Sequence, residues 1–339
     1  MGEQGPQPIA EYSGVDRARF RKDIRPLGQP AVLRGAAANW PVVEAGRRSA
    51  QDLVNYLRRF AVARPVAAIV GPPEISGRFF YTDDYRSLNF QRGVSTLESF
   101  LDRLLRDRDI PNPYAIAVQS EEVPQLLPGL EIENRTDLVE PDVVPRAWIG
   151  NRIRVAPHYD LMENVGVVAA GKRRFTLFPP DQIKNLYVGP FELTPAGTPV
   201  SLVDTQNPDL ESFPRFSEAL KFAQVAELEP GDAIYIPFHW WHGVESLEPV
   251  NLFINYWWND ARPGIGNPYD ALLHALYAIR TLPAEQREVW RTEFDHYVFA
   301  LEGDPVEHLP RHARGMLGEP TNEQLSRMRA TLRQILNQH

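Results

Sequence analysis

The chain has 339 residues, a net charge of −8, 43% apolar residues and no cysteine. The missing thiols exclude disulfides, thiolate-held zinc, iron–sulfur clusters and a cysteine nucleophile, so any metal must be held by the eight histidines and the carboxylates. The acidic balance weighs against nucleic acid or an anionic membrane surface as a partner, and the apolar content is enough for a sizeable core.

Thirty-one prolines against 22 glycines predict many short elements with rigid connections. The opening segment MGEQGPQPIAEY has no apolar stretch that would direct secretion, and no apolar run is long enough to span a bilayer, which together predict a soluble cytoplasmic protein. DRARFRKDI (16–24) reads as a short helix, QPAVLRG (29–35) as a strand ended by Gly35, and AANWP (37–41) as a turn. SAQDLVNYLRRF (49–60) has apolar residues at helical spacing behind Ser49 as N-cap. PVAAIVGPP (65–73), RFFYTDDY (78–85) and YAIAVQS (114–120) read as strands, STLESFLDRLLRD (95–107) as a capped helix, and 121–145 as a loop with a short helix.

From about residue 147 to 260 the pattern becomes strand, turn, strand. WIGNRIRVAPHYD, NVGVVAAG, KRRFTLFPP, FAQVAELEPGDAIYIP, WHGVES and NLFINYWW are short and β-rich, separated by turn signals such as EPGD. Successive short strands of this kind predict an antiparallel barrel or jelly roll. After NDARPGIGNP, three segments (269–282, 284–301, 321–339) carry apolar residues at i, i+3, i+4 and read as helices. The expected organisation is a mainly β barrel domain over 1–260, with N-terminal α/β decoration and its metal-binding core at about 145–260, followed by a C-terminal helical cap over 261–339 that covers the barrel or forms a dimer interface.

The chemistry concentrates in His158-Tyr159-Asp160. On a strand, residues i and i+2 share a face, so His158 and Asp160 can grip one ion together. A third ligand from a distant strand is available in His242, after the hairpin LEPGDAIYIPFHWWHGVES. A lone H-x-D is a weak signal; its combination with that hairpin and with Pro237 ahead of the histidine makes it a metal site. Two histidines and one carboxylate on one face leave open positions on an octahedral ion, the arrangement of non-haem Fe(II) oxygenases. Arg173 shares a face with Phe175 and Leu177 in the following strand. If that face is interior, Arg173 needs an anion as its partner.

HYD followed by GKRRFTLFPPDQ, PGDAIYIPFHWWHGVES and NLFINYWW resembles the cupin-like Jumonji-C group of 2-oxoglutarate oxygenases, closest to bacterial relatives of the asparaginyl hydroxylase that inhibits the hypoxia-inducible factor. The resemblance is strong over about 145–260 and extends to PAVLRG and ANWP upstream. It implies a double-stranded β-helix, Fe(II) and 2-oxoglutarate, and hydroxylation of a C–H bond in a protein side chain or small molecule. His158, Asp160 and His242 fall on its metal ligands, Asn164 and Asn255 on asparagines lining the co-substrate pocket, and Arg173 on a lysine that binds the distal carboxylate of 2-oxoglutarate. Gln119 falls on a glutamine near the substrate and is counted with the co-substrate set. The resemblance also implies a homodimer through the C-terminal helices.

Two positions depart from the pattern. Val155 stands where the related hydroxylase has a threonine, and Ala117 where it has a tyrosine; both normally help hold the oxoacid, so Arg173 is expected to do more, with Tyr114 or Lys172 as helpers. Lys172 otherwise reads as part of a solvated turn. Among Trp240, Trp241, Trp257 and Trp258, two are expected in the core and two on the cavity wall. His239 is a possible neighbour of the site, Tyr159 reads as packing or substrate contact, Glu163 has no assigned role, and the histidines of the helical tail read as structural. The alternatives are a metal cupin whose reaction needs no oxoacid, and a non-catalytic scaffold.

Overall fold

Strands Glu163–Ala170, Ala233–Ile236 and Asn251–Trp258 are buried along nearly their whole length, while Arg173–Phe178 alternates. In Arg173–Phe178, Arg173, Phe175 and Leu177 are buried while Arg174 and Thr176 are half-buried, because strand side chains point to opposite faces in turn. The computed structural model describes residues 5–262 and 265–337. Residues 1–4, Pro263 and Gly264 of the connection after the barrel, and the last two residues of the final predicted helix lie outside the described residues.

Eight strands build the barrel: Pro145–Gly150, Arg154–His158, Glu163–Ala170, Arg173–Phe178, Gln224–Leu228, Ala233–Ile236, Trp241–Ser246 and Asn251–Trp258. They are dealt between two sheets. One has the order Gln7–Pro8, Gln224–Leu228, Arg173–Phe178, Trp241–Ser246, Arg154–His158, Arg78–Phe79. The other runs Ala10–Ser13, Ala31–Arg34, Ala233–Ile236, Glu163–Ala170, Asn251–Trp258, Pro145–Gly150, Ala115–Glu122, Pro65–Gly71, Gln91–Thr96. The fold is thus a mainly β jelly roll with N-terminal strands extending both sheets. Val168, Phe175, Leu177, Ile234, Ile236 and Phe253 pack between the sheets. A larger core holds Leu53, Leu57, Leu101, Val118 and Ile149, drawn from the helices Ala50–Arg58 and Leu97–Asp107 and from the longer sheet.

The EPGD turn is built as its residues suggest. Gly231 adopts φ +98°, in the left-handed region that favours glycine. Its N–H donates to Val168 O at 2.8 Å. The buried Asp232 carboxylate accepts from Arg34 at 2.6 Å, Gly35 N at 2.9 Å and Glu229 N at 3.1 Å. The turn is thereby tied to the strand Ala31–Arg34, which pairs with Ala233–Ile236.

Most expected elements form, including Ser49 as the cap of Ala50–Arg58. Several differ. RFFYTDDY keeps only Arg78–Phe79 as strand, because Thr82 and Asp84 side chains capture the local backbone into a turn. Residues 17–27 wind through three short helical turns, of which Phe20–Ile24 is a wide π turn burying Phe20 and Ile24. The strand Gln91–Thr96 and the helix Pro41–Arg48 are additions to the expected set. That helix takes its cap from a distance: Val42 N donates to Asn134 Oδ1 at 2.9 Å, a contact across the fold that no local reading finds.

Residues 260–339 form a second compact unit, with helices Pro268–Ile279, Ala284–Tyr297 and Asn322–Leu336. The last begins in a capping box between Thr321 and Gln324. Among its described residues, Val306 alone is buried. Leu273, Tyr277, Trp290, Phe299 and Leu332 are exposed. Among the described residues, no helix is long and apolar enough to cross a membrane.

Candidate metal centre

His158 and His242 are placed by strand pairing. They are direct partners across the antiparallel strands Arg154–His158 and Trp241–Ser246, with ring centroids 4.3 Å apart. The His158 strand ends at that residue, so Asp160 does not reach the site by strand alternation as expected. It is held in the following loop, where its carbonyl accepts from His239 N at 3.3 Å. Side-chain donor atoms of His158, Asp160 and His242 all lie within 4.8 Å of one another. His242 Nε2 is 3.5 Å from Asp160 Oδ2.

The tautomers are set by the backbone. His158 Nδ1 lies 3.0 Å from Ala156 O, and His242 Nδ1 lies 3.0 Å from Trp240 O. A carbonyl can only accept, so each Nδ1 carries the proton and each Nε2 keeps its lone pair for an ion. Burial and the neighbouring imidazole push the His158 pKa down to about 4, against the pull of Asp160, which keeps the ring neutral. Two imidazole nitrogens and a carboxylate suit a divalent metal of intermediate softness.

Asp160 is oriented by a hydrogen-bond chain. Trp148 Nε1 donates to Asn255 Oδ1 at 2.7 Å, Asn255 Nδ2 to Asn164 Oδ1 at 3.2 Å, and Asn164 Nδ2 to Asp160 Oδ2 at 3.2 Å. Trp257 Nε1 adds a second donor to Oδ2 at 3.1 Å. Asn164 and Asn255 are both buried, so each amide dipole is locked by its partners.

A cavity of about 310 Å³ opens beside these groups and brings together every expected site residue: His158, Asp160, His242, Arg173, Asn164, Asn255 and Gln119. Arg173 is 6% exposed. Its Nε has no hydrogen-bond partner among the described residues, and its guanidinium lies over the Phe253 ring at 4.7 Å. Burial lowers its pKa to about 9, which leaves it a cation at neutral pH. A buried cation with an unsatisfied donor beside a cavity fits a bound carboxylate, which can accept from both guanidinium edges.

The expected helpers of Arg173 are elsewhere. Lys172 is on the surface, paired with Glu229 at 2.7 Å. Tyr114 is exposed, with Arg103 over its ring at 5.5 Å. Val155 lines the cavity and contributes no hydrogen bond to a ligand; Ala117 packs with Ile69, Phe79 and Ile153 in a separate cluster. Of the four late tryptophans only Trp257 lines the cavity. Trp240 and Trp241 are core residues, and Trp258 packs on the main core. His239 stacks on Tyr159 at 4.5 Å outside the cavity, and Tyr159 is buried packing. Glu163 accepts from Tyr235 Oη at 2.7 Å.

Sequence reasoning missed Trp148, Arg146 and Ser120. Trp148 carries the hydrogen-bond chain from a strand whose alternation does face the barrel. Ser120 lines the cavity at φ +56°, and Arg146 straps it there through Ser120 O at 2.7 Å and Oγ at 2.8 Å. Its position at an irregularity between Ala115–Glu122 and Pro145–Gly150 has no local signature.

Comparison with known proteins agrees with this geometry. The chain is 29% identical over 247 residues to lysine-specific demethylase 8 of Danio rerio, covering 71% of this chain and 56% of that protein. It is 26% identical over 326 residues to tRNA wybutosine-synthesizing protein 5 of Gallus gallus, covering 85% of this chain and 94% of that one. A 114-residue stretch is 38% identical to HSPB1-associated protein 1 of Rattus norvegicus, 32% of this chain and 23% of that one. The chain thus spans about half the length of the lysine demethylases it matches. The profile of the cupin-like domain matches residues 17–262, and with the jelly roll and the His-Asp-His cluster in place the chain belongs to the cupin-like domain family, of the Jumonji-C type.

Proposed function

We propose that the protein is an Fe(II)- and 2-oxoglutarate-dependent oxygenase that hydroxylates a C–H bond of a protein side chain or small molecule. The observation carrying this reading is the joint placement, in one cavity, of His158, Asp160 and His242 with the buried, unsatisfied Arg173. His158, Asp160 and His242 would hold the iron. Bound iron supplies activation of dioxygen, coupled to oxidative decarboxylation of 2-oxoglutarate: substrate, O2 and 2-oxoglutarate give hydroxylated substrate, succinate and CO2. Arg173 pairs with the distal carboxylate of the oxoacid. The Trp148–Asn255–Asn164 chain and Trp257 keep Asp160 in its ligating rotamer. Phe175, Ile236, Val244 and Phe253 exclude water from the cavity.

Anaerobic titration with Fe(II) and 2-oxoglutarate tests this. A weak visible charge-transfer band is expected on adding the oxoacid. Iron retention without a band would replace the reading by a cupin that needs no oxoacid, and no retention by a non-catalytic scaffold.

The partner assignments belong to the same proposal. The net charge of −8 supports a substrate other than a polynucleotide. The C-terminal unit supports a homodimer, since a unit with one buried described residue and exposed Leu273, Trp290 and Leu332 has too little core of its own. A second copy supplies the missing apolar cover.

A further inference from the structure

The cavity contains a second cation that the reaction above does not use. Arg92, on the edge strand Gln91–Thr96, lines the cavity and is exposed, so it stands where the cavity meets solvent. Its guanidinium lies 5.6 Å from the Phe90 ring centroid, and among the described residues it has no ion pair. Asp160 is the only carboxylate among the lining residues. The charge balance follows from the residues. A divalent ion and Arg173, set against Asp160, leave two positive charges, which the dianionic oxoacid cancels. Arg92 is then the one formal charge left over, in a cleft whose aromatic and aliphatic walls focus its field outward.

Resting on the oxygenase reading, we propose that the substrate presents an anionic group, a carboxylate or phosphate, to Arg92 at the cavity mouth. A cationic substrate meets the opposite situation. The lysine for which the demethylase relatives are named would enter this cavity with no free carboxylate to receive its amine, while facing an unpaired guanidinium. The anion can belong to an acidic side chain near the hydroxylated residue of a peptide, or to a small free acid; Arg92 would recognise both through the same charge-assisted hydrogen bonds.

The test uses full-length protein loaded anaerobically with Fe(II) and saturating 2-oxoglutarate. Labelled peptide pools with fixed Asp/Glu, fixed Asn/Gln or fixed Lys are titrated by fluorescence anisotropy. In parallel, pools of small carboxylic and phosphorylated acids are compared calorimetrically with their amides and alcohols. The expected result is a preference for the acidic members of roughly tenfold, the worth of one charge-assisted hydrogen bond. Arg92→Gln should erase the preference, and Arg92→Glu should turn it toward Lys. Preference among peptides assigns the anion to a side chain, and preference among small acids to a free metabolite. Charge-blind binding or no binding in both series, tightest binding of the Lys pool, or full preference retained in Arg92→Gln would overturn the proposal. The visible band of the same sample separates the two readings. If the band is absent, the oxygenase assignment fails; if it is present with charge-blind binding, only the role of Arg92 fails. Arg92 is exposed, and variants there leave the core intact.

Discussion

Asn164 donates to the Asp160 carboxylate at 3.2 Å while accepting from Asn255 at 3.2 Å. Asn164 is therefore the middle link between a tryptophan on one strand and the single carboxylate of the cluster. Asn164→Ala should weaken iron binding by about 10- to 100-fold, the usual cost of removing a group that orients a metal ligand. Trp148→Phe, which cuts the chain at its far end, should have a smaller effect of the same sign. Metal content after equilibrium dialysis against graded chelator measures both. Unchanged iron affinity in Asn164→Ala would show that Trp257 alone suffices to hold Asp160.

Arg173 is a buried cation with an Nε unpartnered among the described residues, and in the proposed function the oxoacid supplies its partner. A buried charge without a partner carries a desolvation penalty of several kcal/mol that an apolar side chain of similar length avoids. Arg173→Met should therefore melt at or above the temperature of the unliganded parent. It should lose the thermal shift that 2-oxoglutarate gives the parent, a shift corresponding to about 2.7 kcal/mol at a hundredfold excess over Kd. Differential scanning fluorimetry with and without the oxoacid reads both. A retained shift would refute Arg173 as the carboxylate partner.

Gly166 lies under the same ring that carries Arg173. A Cβ at this position would come within 2.0 Å of Phe253 Cζ, and Phe253 lies beneath the Arg173 guanidinium. Gly166→Ala should cost about 1–3 kcal/mol in chemical denaturation through overpacking. It should also raise the Kd for 2-oxoglutarate while leaving iron binding near the parent value, because the displaced ring moves Arg173 and not the histidines. Equal weakening of iron and oxoacid would show that the strand, rather than the ring, had shifted.

The C-terminal unit predicts its own oligomer. Leu273→Glu with Trp290→Glu places two charges on exposed apolar positions. The parent should elute as a dimer in size-exclusion chromatography with light scattering, and the double variant as a monomer. A monomeric parent would end the dimer proposal.

By itself the sequence pointed to a barrel or jelly roll and to His158 and Asp160 as a candidate ligand pair, because both are written in short-range patterns. Alternating strands, the Pro230-Gly231-Asp232 turn and the His158-Tyr159-Asp160 triplet are local features whose physical consequences follow from period and turn chemistry. Arg173 was legible for the same reason: its face is shared with Phe175 and Leu177. What depended on register was decided only in three dimensions. His158 meets His242 because two strands pair at those residues. Asp160 turns toward them from a loop, under donors from Asn164 and Trp257. Trp148 and Arg92 reach the cavity, and Arg146 straps Ser120 at its wall, from strands that local reading leaves unplaced relative to the site or does not detect. Their roles are set by contacts between residues distant in the chain, and no periodicity encodes which distant partner a side chain will find.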